Sequence, residues 1–167
     1  NSAGGFGLTE AIANEFFGAG ADCLTLGDHA WDQREALTYI QREPRLLRPL
    51  NYPPAANAPG KGAHLYALPD GRRVGVVQVQ GNVFMRQSLP DPFSAVDVAL
   101  DSMPLGAVAD ALIVDMHCEA TSERYQPALG DGTLCGTYVE TDDATGLALR
   151  VEPIRMGGRL SEQVPNL

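Results

Sequence analysis

Apolar positions recur at helical spacing over residues 8–19. Ile12, Phe16 and Ala19 share a face, Thr9 offers an N-cap oxygen, and Gly18 and Gly20 mark the stop. The period then changes: residues 22–26 are a short apolar run closed by Gly27, the mark of a buried strand. Helical spacing returns over 32–42, with Asp32 as cap, Ala36, Leu37 and Ile40 on one face, and Pro44 beyond the end. Prolines and glycines crowd 49–62, which reads as a loop. Strand patterns resume at once over 63–68 and 73–80, joined through the turn Pro69-Asp70-Gly71. Residues 81–92 read as another loop. A helix is predicted over 93–103, through Phe93, Val96, Leu100 and Met103, and 111–114 is a continuous apolar run typical of an inner strand. Residues 133–140 and 147–153 read as strands around a polar turn at 142–146, and the tail from Gly157 has little to anchor it. Helices alternating with apolar strands predict a layered α/β domain with extra antiparallel hairpins. No internal repeat breaks up its 167 residues, which fit a single domain.

Composition narrows the partners. Acidic residues outnumber basic ones 21 to 12, a net charge of −9. That balance opposes a nucleic-acid backbone or an anionic membrane surface, so no sequence-specific nucleic acid and no membrane are expected. No apolar run approaches the ~20 residues of a membrane span. Cys23, Cys118 and Cys135 are odd in number and scattered, which suggests free thiols and a cytoplasmic setting. A homo-oligomer is left open.

Sites in open α/β sheets form beyond the carboxyl ends of strands. Two strand ends carry suitable atoms. The first is Leu26-Gly27-Asp28-His29, where the glycine is expected to permit a tight turn. The second is Asp115-Met116-His117-Cys118-Glu119, where Asp115 and His117 share a face if the strand continues. Carboxylate oxygen and imidazole nitrogen are ligands of manganese, iron and zinc. Taken singly, each histidine reads as a hydrogen-bonded structural residue, and His64 does so most strongly. Glu119 reads first as a capping or exposed residue, Trp31 as a buried anchor. The His117-Cys118 pair also admits a thiol nucleophile. The glycine-rich opening lacks the lysine and spacing of a phosphate loop. The residues alone thus point to metal-assisted hydrolysis, through two of the three histidines, each at the end of an apolar strand beside an aspartate.

Taken in order, Asn1-Ser2-Ala3-Gly4-Gly5-Phe6-Gly7, Thr25-Leu26-Gly27-Asp28-His29-Ala30-Trp31-Asp32, the stretch 48–54, Asp115-Met116-His117-Cys118-Glu119-Ala120-Thr121-Ser122-Glu123, Thr133-Leu134-Cys135-Gly136 and Thr141-Asp142-Asp143-Ala144-Thr145-Gly146 resemble the bacterial YmdB-type branch of the calcineurin-like metallophosphoesterases. The resemblance covers nearly the whole chain. It implies a four-layer α/β/β/α sandwich and a centre of two transition-metal ions, iron or manganese. The implied activity is hydrolysis of small phosphodiesters, with 2′,3′-cyclic nucleotides as the substrate class. Carried over by motif, Asn1, Asp28 and His117 match metal ligands. His29 matches the histidine that bonds a phosphate oxygen or protonates the leaving alkoxide, and Asp115 is read as orienting a histidine from behind.

The chain departs from the family pattern at identifiable points. Asp28 stands where asparagine is usual. The pattern also expects a preceding strand with a Gly-Asp-Ile-Val-Gly aspartate, a glutamate before Asn1, and a Gly-Thr-His-Thr-His segment between Glu123 and Arg124. The expectation is a single domain over 1–167 with a break or deletion between 123 and 124, these residues being parts of a longer protein. The alternative is a degenerate, binding-only member of the fold without a complete two-metal site.

Overall fold

The computed structural model describes residues 1–118, 134–142, 145, 148–157 and 161–164. The chain divides into two compact units, 1–123 and 124–167. The expected break at 123/124, and Glu119 with it, lie outside the described residues.

The first unit opens with a loop and helix α1 (Glu10–Gly18), which starts where the sequence predicts: the Thr9 hydroxyl accepts a hydrogen bond from Ile12 N. Its buried stripe is rotated from the predicted one. Ala13 is the buried residue, Ile12 and Phe17 pack beside it, and Phe16 is exposed. Strand β1 (Leu24–Thr25) is short and pairs in parallel with β2 (Leu46–Leu47), which the pattern does not reveal. Between them α2 spans Ala36–Arg42, not 32–42. Residues 28–35 are spent in turns, and Asp32 is no helix cap, because its carboxylate is held by His29.

Strands β3 (Ala63–Ala67) and β4 (Arg73–Gln80) form the predicted antiparallel hairpin. Its turn closes through Gly71, whose φ of +90° suits glycine. Strand β5 (Ala111–His117) lies parallel to β4 on the other side, giving the order β3-β4-β5. Helix α3 (Pro92–Ser102) connects β4 to β5, its N-cap Asp91 accepting from Phe93 N and Ser94 N. Those bonds, first the Ser94 side chain and then the backbone, hold the Asp91 carboxyl below its usual range.

Two apolar clusters make the core of this unit. Leu8, Ala13, Leu26, Ala30, Tyr39, Ile40 and Leu46 join α1, α2 and the β1–β2 pair. Val77, Val79, Ala99, Met103 and Ala109 join β4 to α3. Each fully buried aliphatic side chain is worth about 1.5–3 kcal/mol. Residues 111–114 read as an inner strand, yet among the described residues β5 has a partner on one side only, and Ile113 and Val114 stay exposed.

The second unit is a hairpin of β6 (Leu134–Thr141) and β7 (Ala148–Met156), paired antiparallel. Part of the tail expected to be loose is anchored, since Arg155 and Gln163 exchange both backbone hydrogen bonds. The described elements make a mixed α/β protein, and no described helix is long and apolar enough to cross a membrane.

Candidate active site

The Gly27-Asp28-His29 corner follows directly from β1. Leu26, still bonded through its N–H to Leu47 O at 2.8 Å, ends the parallel pair. Two successive turns then carry the chain round, Ala30 N donating to Gly27 O and Asp32 N to His29 O. The expected reason for Gly27 needs correcting. Its backbone is outside the left-handed region. What excludes a side chain is the His117 ring, whose Cε1 and Nε2 lie 2.4 Å from where a Cβ would stand. Gly27 is the seat of an imidazole. The positive φ belongs to Gly7, at +66°, which also passes against His29 O.

Strand β5 continues through His117 and so delivers the imidazole to the same corner. His117 Nε2 lies 3.1 Å from Asp28 Oδ1, and His29 Nε2 lies 3.6 Å from Asp28 Oδ2. One carboxylate therefore stands between two imidazoles. Its side chain is 14% exposed, against 25% for His29 and 32% for His117. The other nitrogen of His29, Nδ1, is hydrogen-bonded to Asp32 Oδ2. An ionised carboxylate only accepts, so Nδ1 carries the proton and Nε2 is left for other work.

Asn1 completes the corner. Its Oδ1 accepts from Gly7 N at 3.3 Å, and the loop folds on itself through Gly5 N to Asn1 O and Ala3 N to Gly7 O. Phe6 stands edge-on to the His29 ring, 6.5 Å between centroids, while Gln33 Nε2 donates to Phe6 O. Asn1, Asp28, His29 and His117 all border one cleft of about 310 Å³, with Phe16, Leu24 and Leu26 on its apolar side.

The remaining sequence candidates fall as follows. Asp115 shares a β5 face with His117, but among the described residues no hydrogen bond joins it to either histidine of the corner. Its charge bears instead on Cys23, whose thiol is pushed up first by burial and then by Asp115 and Asp22. Cys118 is exposed, and His117 Nε2 is engaged by Asp28. His64 stacks edge-on against Tyr66, and its pKa is lowered by burial and Lys61. Trp31 donates from Nε1 to Tyr52 OH at 3.0 Å, as an anchor should. Asp32 is the group at this corner that the sequence reading did not place there. Its signal is spacing alone, an aspartate three residues after a histidine inside a turn.

Asp28 and His117 supply oxygen and nitrogen donors of the type that suits manganese, iron or zinc, and the neutral amide oxygen of Asn1 borders the same space. These donors fit a metal ion as part of its ligand set. Among the described residues no group of three or more His, Cys, Asp and Glu side chains is arranged to hold a metal.

A family model described as YmdB-like protein matches residues 1–129. A 2′,3′-cyclic-nucleotide 2′-phosphodiesterase of Bacillus subtilis (strain 168) is 36% identical over 151 residues, covering 86% of this chain and 54% of that protein. Among solved structures, a hypothetical protein from Thermus thermophilus is 40% identical with a TM-score of 0.61, over 72% of this chain and 44% of that one. A novel phosphatase from Mycoplasma pneumoniae shares the fold, with a TM-score of 0.73 at 17% identity, over 90% of this chain and 77% of that one. The chain spans about half the length of the first two. With most of its length matched by the family model, the chain belongs to the YmdB-like family.

Proposed function

We propose that the protein to which this chain belongs is a metal-dependent phosphodiesterase acting on small phosphodiesters, with 2′,3′-cyclic nucleotides as the substrate class. The observation that carries this reading is the Asp28 carboxylate, set between the Nε2 atoms of His117 and His29 on the border of a cleft shared with Asn1. The name of the Bacillus subtilis relative supports the substrate class. The fold is read as a four-layer α/β/β/α sandwich, its location as cytoplasmic.

In this reading Asp28, His117 and Asn1 hold metal, in a centre of two iron or manganese ions to which further ligands contribute. Bound there, the metals supply Lewis acidity toward phosphate oxygens. The chain's own residues do the rest. Asp32 accepts from His29 Nδ1–H and so steadies the ring when Nε2 is protonated as well; that imidazolium donates Nε2–H to a phosphate oxygen or passes the Nε2 proton to the leaving alkoxide, returning to the neutral Nδ1–H form. Gly27 gives the His117 ring the room to meet Asp28. Asp115, which the resemblance casts as orienting a histidine, has no such role in this reading, because the histidine partners are Asp28 and Asp32. The apolar side of the cleft, Phe16, Leu24 and Leu26, limits water near the phosphate.

Hydrolysis of a 2′,3′-cyclic nucleotide with manganese present tests the reading. Asp28→Ala is expected to lower kcat/KM by about 100-fold or more, the scale of losing a charged group at the reacting centre. Turnover unchanged in Asp28→Ala would end the proposal. A binding-only role is the second reading, favoured by the lack of a three-ligand group among the described residues. Metal analysis separates the two: the enzyme holds two ions per chain, the binding module one or none.

A further inference from the structure

The face of the β3-β4-β5 sheet turned away from α3 carries polar side chains where an apolar layer is usual. The alternation that sends Val77 and Val79 into the α3 cluster sends Gln78 and Gln80 to the opposite face, and both are buried. The register sets Gln78 beside Asp115 and Gln80 beside His117. Residues so paired in a parallel ladder project to the same side. Gln80 is fully buried, yet among the described residues neither its Oε1 nor its Nε2 has a hydrogen-bond partner. A buried carboxamide without a partner is costly and calls for an explanation.

Its backbone is firmly held. Gln80 N donates to Asn51 Oδ1 at 3.0 Å, and Asn51 Nδ2 donates to Gln80 O at 2.8 Å, with Asn51 itself buried. One residue on, Gly81 N donates to His117 O at 2.9 Å, which locks the two strand ends together. His117 spends Nε2 on Asp28, and its Nδ1 has no partner among the described residues. A buried carboxamide without a partner thus sits beside a partly exposed imidazole whose Nδ1 is uncommitted, on cross-strand neighbours of one face.

We propose that the Gln80 carboxamide is the hydrogen-bond partner of His117 Nδ1, and hence the residue that positions this ring over Gly27 and against Asp28. A carboxamide suits the place because it both donates and accepts. While His117 Nε2–H donates to Asp28, Nδ1 holds a lone pair and accepts a hydrogen bond from Gln80 Nε2. When Nε2 turns its lone pair to a metal, Nδ1 carries the proton and Gln80 Oε1 accepts from it. A carboxylate there would serve the second state only. The structural part stands on the register and burial alone; the consequence for metal binding rests on the function proposed above.

Gln80→Met keeps the length and removes both polar atoms, while Gln80→Glu keeps an acceptor. In nitrogen NMR of the metal-free protein, wild-type His117 is expected as a single Nε2–H tautomer. Gln80→Met is expected to shift its Nδ1 resonance and mix the tautomers, at an unchanged or higher Tm. Manganese binding should weaken by about 10- to 100-fold in Gln80→Met, and by much less in Gln80→Glu. Unchanged His117 resonances in Gln80→Met overturn the proposal. If the wild type binds no manganese but the resonances do shift, the metal reading fails and the contact is supported. Should Gln80→Met not fold, Gln80→Glu decides: a shift of the His117 proton toward Nδ1 supports the contact, and unchanged His117 resonances overturn it.

Discussion

At Gly27 a methyl group would stand 2.4 Å from the His117 ring. The obstacle is the end of a side chain, not backbone, so the ring can swing aside and spare the fold. Gly27→Ala is therefore expected to lower Tm by only a few degrees while metal binding and phosphodiester turnover fall by about 10-fold or more, since small misplacements at a reacting centre are expensive. A large loss of Tm with turnover intact would show that the glycine serves the fold instead. Asp32 makes the complementary case. Asp32→Ala frees the His29 tautomer and is expected to reduce kcat by about 10- to 100-fold without changing manganese affinity, and Asp32→Asn, which still accepts through its amide oxygen, should recover part of it. Equal losses in both variants would mean that the charge of Asp32 matters, not its hydrogen bond. Asp28, His29 and His117 were legible because each is a polar residue just where an apolar strand run ends. Asp32 was not, since an aspartate ahead of a helical pattern reads equally well as a cap. Gln80 carries no signal in the sequence beyond its place in the strand read over 73–80, and only the register and burial show that its face is covered.

Elements with a strong local signal, α1 with Thr9, the β3–β4 hairpin with Gly71 and α3 with its apolar spacing from Phe93 to Met103, begin and end within a residue or two of their predicted bounds. The β1–β2 pair was not legible in the same way. The strand read over 22–26 is present as β1, but the two residues of β2 show no periodicity, and the parallel pairing depends on the path of the chain around α2. A charged pair stands at the end of α2, where the chain turns into β2. Glu43 accepts hydrogen bonds from the Arg45 side chain on both carboxylate oxygens and from the Arg45 backbone N–H, and the guanidinium lies 3.7 Å over the Phe17 ring of α1. The Arg45 side chain, ahead of the opposing effect of burial, holds the Glu43 carboxyl below its usual range. A carboxyl lowered on folding binds fewer protons folded than unfolded, so its contribution is present above the ordinary glutamate pKa and fades as pH falls through the lowered one. The Tm difference between wild type and Glu43→Gln is thus expected to be largest near neutral pH and to close in acid. A difference that persists at strongly acid pH would mean the substitution acts through packing against Phe17, not through charge.

At the scale of the whole chain, the net charge of −9 and the anionic substrate proposed for it pull against each other. A 2′,3′-cyclic nucleotide carries one phosphate charge, so the field of the chain would repel it at a distance, while the cations proposed at Asp28 and His117 would attract it only at close range. The two effects differ in reach, and salt separates them. The screening length is about 30 Å at 0.01 M ionic strength and about 8 Å at 0.15 M, so added salt removes the distant repulsion first and leaves the contact within the cleft largely unscreened. Raising salt across that range is therefore expected to increase kcat/KM for the cyclic nucleotide by a modest factor, through KM, with kcat flat. For a neutral phosphotriester of similar size the same titration should do nothing, because there is no charge to repel. A kcat/KM that falls with salt would mean that a positive local field already dominates the approach, so that the acidic residues lie away from the mouth of the cleft. The arrangement at the corner makes the first outcome the expected one. Asp28 and Asp32 bring two carboxylates to the histidines, and among the described residues no lysine or arginine borders the cleft to offset them.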